Sequence, residues 1–148
     1  MARESPIVIG WKERVSFPDW GVRKVRVKID TGARTSALGA DFYSLADDPQ
    51  LGRVVELTVT FDRKRPERQT SIRAPLLGQA IICNSSGMKE QRPLIETMVR
   101  VGPVNKVVRF TITNRTRMRF PVILGRRALA GDFLIDVEQA FTQKKRRK

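Results

Sequence analysis

A single carboxylate, Asp30, lies among small and hydroxyl-bearing residues in the stretch VKIDTGARTSALGA, residues 27–40. It ends a strand-like run and is followed directly by Thr31 and Gly32. Glycine permits backbone angles and close approaches that a Cβ would prevent, so amide N–H groups and the Thr31 hydroxyl can reach the carboxylate. Such hydrogen bonds favour the charged form of the acid, whereas burial disfavours it. A carboxylate balanced between these effects can polarise a water molecule. An isolated Asp-Thr-Gly is nevertheless more often a simple turn, in which the aspartate accepts hydrogen bonds from its own loop.

The chain contains no histidine and one cysteine, Cys83. No Ser-His or Cys-His nucleophile pair of the usual kind can therefore form, and Cys83 is interpreted as a small core residue. A zinc site built from histidine and cysteine is excluded because such sites take several of these ligands. Enzyme chemistry must come from carboxylates, lysines, hydroxyls or a bound cofactor. With this zinc site excluded and no Walker-type loop in the sequence, we predict neither a metal nor a cofactor.

Alternating apolar residues predict that the chain is almost entirely β. Residues 22–29, 54–61 and 106–113 all show the period of two that is typical of half-buried strands. Residues 95–113 are predicted to form a hairpin that turns at GPVN, and the apolar runs QAIICN and FPVIL are predicted to be buried strands. Such short strands with frequent turns indicate a small barrel or sandwich.

The best helix candidate is short, from Arg126 to Ala130, between two glycines. We expect one domain over residues 1–140, with an exposed charged loop at 62–69 and a basic flexible tail at 141–148. No apolar run is long enough to span a bilayer, and the N-terminus does not read as a secretory signal. With a lone cysteine, these features predict a cytoplasmic protein without a membrane partner.

Two segments together resemble the retropepsin-like aspartic peptidase fold: KIDTGARTSAL and the distant MRFPVILGRRALAGDFLIDV. More narrowly, residues 7–136, including SSGMKEQRPLIETMV, resemble the bacterial family labelled ATP-dependent zinc proteases. Members of that family often accompany an ATP-grasp ligase that adds glutamates to a ribosomal protein. The resemblance implies an all-β, small closed barrel with one short C-terminal helix. It also implies that Leu124 and Gly125 pack beneath the Asp30 loop.

The resemblance implies an aspartic-type peptidase that works as a homodimer, because the fold needs two Asp-Thr-Gly loops and this chain has one. The two Asp30 carboxylates would share a proton, one activating water and the other donating to the substrate carbonyl. Gly39 stands where the family commonly has a histidine, which leaves the zinc of the family label without a ligand set. An alternative is one Asp30 acting as base while Lys28 or Arg34 stabilises the oxyanion.

The net charge of +14, from 29 Lys and Arg against 15 Asp and Glu, points to an acidic partner. A groove lined by basic residues that include Arg26 would concentrate an acidic or glutamate-tailed peptide. The predicted catalytic residues are Asp30, Thr31 and Gly32, and the predicted substrate-binding residues are Lys28, Ala33, Arg34 and Arg92. The predicted supporting residues are Thr35, Ser36, Leu124, Gly125 and Arg126.

Three functions therefore remain open. The first is a peptidase for acidic, poly-glutamyl substrates. The second is a non-catalytic module that binds an acidic protein or the partner ligase. The third is a ribosome- or RNA-associated basic domain, although no nucleic-acid motif is present and 7% of residues are aromatic. For the tail, solubility or weak non-specific nucleic-acid contact is expected.

Overall fold

The computed structural model describes residues 5–83, 86–114 and 119–143. The described chain is nearly all β, as predicted, with one four-residue helix. A 3-10 turn at Pro18–Trp20 and a helix, α1, at Arg126–Leu129 complete the regular structure. The strands are β1 (Ile7–Ile9), β2 (Lys12–Phe17), β3 (Val22–Ile29), β4 (Ser36–Ala40), β5 (Phe42–Asp48), β6 (Gly52–Val59), β7 (Thr70–Pro75), β8 (Gly78–Cys83), β9 (Lys89–Val101), β10 (Val104–Asn114), β11 (Val122–Leu124) and β12 (Phe133–Ile135).

Six strands of the largest sheet form a ring. The strand order is β10-β4-β11-β3-β2-β9-β8. Because β9 also pairs with β10, the first six strands of this order close into the ring, and β8 pairs with β9 outside it. The predicted hairpin is the antiparallel pair β9–β10, in which Phe110 lies opposite Ile95. β3 and β11 run parallel, with Ile29 opposite Leu124. This pairing places the end of β3, and hence Asp30, beside the segment that leads into α1.

Two smaller sheets complete the fold. β5, β6 and β7 form an antiparallel sheet whose buried side chains, such as Leu57 and Ile72, belong to the same apolar core as those of the ring. β1 pairs in parallel with β12, so the first and last strands lie together. Phe17 and Phe110 are the largest fully buried side chains, and their ring centroids are 5.9 Å apart. Burial of such aromatic side chains supplies much of the hydrophobic stabilisation.

One strand prediction is corrected by the structure. FPVIL contains the fully buried β11, as expected, but residues 79–83 of QAIICN belong to β8, in which half-buried and exposed positions alternate. Ile81 is 70% exposed, and Cys83 is exposed rather than a core residue. The reason is position: β8 pairs with β9 and lies outside the ring, so one of its faces meets solvent. The loop at residues 62–69 is exposed for the most part, as expected.

The last described residues are attached to β2 through a buried carboxylate, Glu13. Its Oε2 accepts hydrogen bonds from the Gly10 N–H at 2.7 Å and from the Thr142 hydroxyl at 2.7 Å. It also accepts one from the Thr142 N–H at 3.1 Å, while Oε1 accepts one from the Gln143 N–H at 3.3 Å. The chain is therefore held to the fold through residue 143. Residues 144–148 of the predicted tail lie outside the described residues.

No helix in the described ranges is long and apolar enough to cross a membrane.

Candidate active site

The Asp30 carboxylate is positioned by a turn directly after β3. The Asp30 N–H donates to the Leu124 carbonyl at 2.9 Å, which continues the β3–β11 pairing by one further bond. The Gly32 N–H donates to Asp30 Oδ1 at 3.0 Å, and the Ala33 N–H donates to the Asp30 carbonyl at 3.2 Å. Asp30 is half-buried, and Thr31 and Gly32 are exposed. The carboxylate is thus fixed by backbone groups and still reaches solvent.

The predicted link between the loop and the segment before α1 is present and is made of hydrogen bonds. The Arg126 N–H donates to the Ala33 carbonyl at 2.7 Å, and the Arg127 N–H donates to the Arg34 carbonyl at 3.2 Å. The Gly125 N–H donates to the hydroxyl of the buried Ser36 at 3.0 Å. These three bonds satisfy amides at the start of α1, which a helix by itself leaves without partners.

Gly125 is required where the two segments cross. A Cβ at this position would lie 2.8 Å from the Ala33 carbonyl oxygen and 2.9 Å from the Thr35 carbonyl oxygen. Both are backbone atoms, so neither can turn aside as a side chain could. The absence of a side chain at Gly125 therefore permits the close approach of loop and helix start.

The basic residues near the loop differ in whether they contact it. Lys28 and Arg34 are exposed, and in the described ranges no ion pair within 4.0 Å joins either of them to Asp30. Arg126, predicted as a supporting residue, contacts the loop directly. Its guanidinium donates from Nη1 to the Thr31 carbonyl at 3.0 Å. The cation that contacts the loop is thus an arginine of α1.

Two other predicted groove residues have partners elsewhere. Arg92 lies on β9 opposite Ala80 of β8 and forms an ion pair with Glu90 at 3.0 Å. No hydrogen bond or ion pair between described residues connects Arg92 to the Asp30 loop. The Arg26 guanidinium lies 5.6 Å from the centre of the Phe141 ring, which the last described segment places on this face of β3. The alternation of residues along β3 could not reveal that Phe141 lies against Arg26, because Phe141 is distant in sequence.

Sequence reasoning missed Arg127 and Thr111. Arg127 holds the Arg34 carbonyl through its backbone, and the Thr111 hydroxyl donates to the Ser36 carbonyl at 3.4 Å. The doublet of arginines at the start of the predicted helix was the available signal for Arg127. Thr111 becomes a candidate only when the parallel pairing of β10 with β4, which sets it opposite Ala37, is known.

The chemistry of the available donors does not fit a zinc ion. The chain has one cysteine and no histidine, and the described residues contain no group of three or more Cys, Asp or Glu side chains that could hold a metal. Structural and catalytic zinc sites require at least three protein ligands. No step of the chemistry considered below therefore involves a metal.

An Asp-Thr-Gly loop that ends one strand of a β ring, fixed by a Leu-Gly segment leading into a short helix, defines a retropepsin-like protein. The chain belongs to the RimB-like family, described as retropepsin-like aspartic endopeptidase RimB, whose sequence profile matches residues 8–146.

Two curated relatives carry a different name. A protein of Desulfotalea psychrophila named probable alpha-L-glutamate ligase is 32% identical over 133 residues, which cover 87% of this chain and 28% of that protein. A protein of Shewanella pealeana with the same name is 28% identical over 142 residues, covering 93% of this chain and 30% of that protein. This chain thus spans less than a third of the length of these relatives.

A solved structure has the same fold. The crystal structure of Lpg0085, a protein of unknown function (DUF785) from Legionella pneumophila, matches with a TM-score of 0.77 and 22% identity. The match covers 95% of this chain and 100% of that chain. At this level of identity the likeness establishes the fold alone.

Proposed function

We propose that the chain is an aspartic-type peptidase that acts on acidic polypeptides, poly-glutamyl tails included, through Asp30. The observation that carries the proposal is the geometry of the loop, in which a half-buried carboxylate accepts the Gly32 N–H at 3.0 Å. A carboxylate that is held in place and open to solvent can orient a water molecule and take its proton. Membership of the RimB-like family supports this chemistry.

The proposed active form is a homodimer with one Asp30 from each subunit. Two close carboxylates cannot both ionise cheaply, so the pair would share one proton and titrate as a unit. The ionised carboxylate takes a proton from the attacking water, and the protonated one donates to the substrate carbonyl oxygen. The tetrahedral intermediate then collapses and the C–N bond breaks. The departing amine takes up the proton that the first carboxylate accepted from water, and a hydroxyl of the intermediate returns a proton to the second carboxylate.

A mixing experiment tests the dimer. Wild-type protein titrated with an excess of Asp30→Asn protein should lose activity, because heterodimers would contain one carboxylate. Specific activity of the wild type should also fall on dilution. If activity is unaffected by both treatments, the site works with a single Asp30 and the dimer proposal is wrong.

The charge of the protein supports an acidic substrate. The net charge is +14, and Lys28, Arg34 and Arg126 are all exposed around the loop. A positive field of this kind raises the local concentration of an anionic chain and its rate of association. Arg34 makes no ion pair with a described residue, so its guanidinium is available to a substrate carboxylate.

Cleavage of a glutamate-tailed peptide, followed by mass spectrometry, tests the peptidase. We expect Asp30→Asn to reduce kcat by a factor of about 10²–10⁴ or more, because the general base is lost. The amide oxygen of asparagine can still accept the Gly32 N–H, so the loop should keep its fold. Asp19→Asn is the matched control, since Asp19 is exposed in the 3-10 turn and should retain full activity. Undiminished cleavage by Asp30→Asn would falsify the proposal.

A non-catalytic module is the second candidate. In the relatives named probable alpha-L-glutamate ligase, the segment that resembles this chain makes up 28–30% of a longer protein. That association favours a domain that binds a glutamate ligase or its acidic product. This function predicts salt-sensitive binding that survives Asp30→Asn, with no cleavage at any pH. Detection of a cleaved product that depends on Asp30 decides against it.

A further inference from the structure

A cavity of about 520 Å³ lies beside the Asp30 loop but does not include Asp30. Thr35 and Ser36, which directly follow the loop, form part of its wall, and Arg127 and Ala128 of α1 form another part. The remaining lining comes from β8, β9 and β10. Its volume falls within the range of about 300–1,000 Å³ typical of ligand sites. The end of the loop thus forms a wall of a second concave surface.

The lining of this cavity combines apolar and cationic groups. Leu94, Val107 and Ala128 supply apolar surface, and Val107 is 55% exposed although it is a large aliphatic residue. Two guanidiniums, of Arg109 and Arg127, line the cavity together with one carboxylate, that of Glu96. The titratable lining groups therefore carry a net positive charge.

One of the two arginines is available for a ligand. Arg109 Nε lies 3.7 Å from Glu96 Oε2, and both side chains are substantially exposed, so this pair is weak and open to competition. The Arg127 side chain, by contrast, makes no hydrogen bond or ion pair with any other described residue. Its backbone N–H donates to the Arg34 carbonyl, which fixes the base of this side chain against the Asp30 loop.

We propose that this cavity is an accessory site for an acidic segment of the substrate polypeptide, with Arg127 as its principal anion-binding group. The inference rests on the proposed peptidase function and adds to it a second contact away from the reacting carboxylate. A glutamate side chain matches the lining because its methylene groups can cover Leu94 and Val107 while its carboxylate pairs with a guanidinium. The described lining contains no aromatic ring on which a nucleic-acid base could stack. An acidic peptide therefore fits better than a nucleic acid.

The geometry also connects the two sites. Arg34 is exposed and lies in the sequence between Asp30 and Thr35 of the cavity wall, so it adds a cation to the segment that joins the two sites. A longer glutamate tail could reach both sites, and each additional contact would raise affinity. We therefore expect affinity to rise with the number of glutamates until the cavity is filled.

The test measures binding of fluorescently labelled oligo-glutamate peptides of increasing length to the full chain carrying Asp30→Asn, so that no peptide is cleaved. Arg127→Gln, introduced into this background, should weaken binding of the longer peptides about tenfold, the size of one charge-assisted contact. Arg109→Gln in the same background should weaken it less, because Arg109 is paired with Glu96. Arg68→Gln is the matched control, because it removes the same charge from an exposed loop that does not line the cavity. Circular dichroism checks that each variant is folded.

Each outcome decides the inference. Loss of affinity in Arg127→Gln but not in Arg68→Gln supports it, whatever the size of the smaller effect of Arg109→Gln. Equal losses in Arg127→Gln and Arg68→Gln, or no loss in Arg127→Gln, or no binding by the starting protein, would overturn it. An oligonucleotide of matched charge that displaces the peptide equally well would assign the cavity to nucleic acid instead. This assay measures binding alone. The peptidase proposal is tested separately, and it fails if the wild-type protein does not cleave the peptide.

Discussion

Substitution of Gly125 by alanine tests whether the crossing of loop and helix start holds the candidate site together. The added methyl would lie 2.8 Å from the Ala33 carbonyl oxygen, about half an ångström inside ordinary contact at 3.4 Å. The Ala33 carbonyl also accepts the Arg126 N–H at 2.7 Å, so relief of the clash must lengthen that bond. Overpacking of this kind costs about 1–3 kcal/mol. For a chain of this size, the cost corresponds to a fall in Tm of about 3–9 °C.

Thermal unfolding gives the first measurement, and hydrogen exchange at the Arg126 amide gives the second. Gly21→Ala is the control, because Gly21 has a φ of 65° and, apart from its chain neighbours, no described atom lies within 4 Å of the point that a Cβ would occupy. Alanine in that left-handed conformation costs about 1–2 kcal/mol. This destabilisation is similar in size to that expected for Gly125→Ala but arises away from the Asp30 loop. We expect faster exchange at Arg126 in Gly125→Ala and unchanged exchange in Gly21→Ala. A Gly125→Ala protein as stable as wild type, with Arg126 protected as before, would refute the reasoning.

Two further predictions concern carboxylates outside the loop. Glu13→Gln should destabilise the fold by about 1–3 kcal/mol, because an amide NH₂ replaces one oxygen of the buried carboxylate and leaves a half-buried donor such as the Gln143 N–H without its partner. Unchanged urea midpoints and unchanged exchange at Gln143 would contradict this. The pKa of Asp48 is held below its ordinary value, mainly by the Leu51 N–H and also by the Gln50 N–H and Arg73. The stability that Asp48 contributes is therefore present above about pH 4 and is lost as the pH falls through its lowered folded-state pKa. Asp48→Asn should accordingly lower the urea midpoint at pH 7 more than at pH 3, and equal shifts at both pH values would count against the assignment.

Much of the fold was predictable because strand formation leaves a local pattern. The alternation at Val25, Val27 and Ile29 correctly predicted which face of β3 is buried. The short helix predicted from Arg126 to Ala130 between two glycines begins at Arg126 as expected and ends one residue earlier, at Leu129. The pairing of the Asp30 loop with Leu124 and Gly125 agreed with the resemblance. These predictions succeeded because period, turn residues and a specific pair of motifs can be recognised along the sequence itself.

The predictions that failed depended on what covers each strand. QAIICN had the composition of a buried strand, but its place outside the ring exposed Ile81 and Cys83. A short apolar run does not record whether one or both of its faces are covered. Arg26 had the exposure expected of its face, and the pattern of β3 gave no sign that the Phe141 ring lies 5.6 Å from its guanidinium.

The sequence by itself determined that the chain is a β protein with one Asp-Thr-Gly loop, no histidine and a large positive charge. Only the tertiary structure decided that Glu13 is buried, because its hydrogen-bond donors Thr142 and Gln143 lie 129 and 130 positions away. The same holds for Arg127, whose cavity is assembled from residues of four strands and α1. The alternation of apolar and polar side chains along a strand depends only on residues that are neighbours in the sequence. The group that pairs with a charged side chain comes from whichever distant segment the fold packs against it.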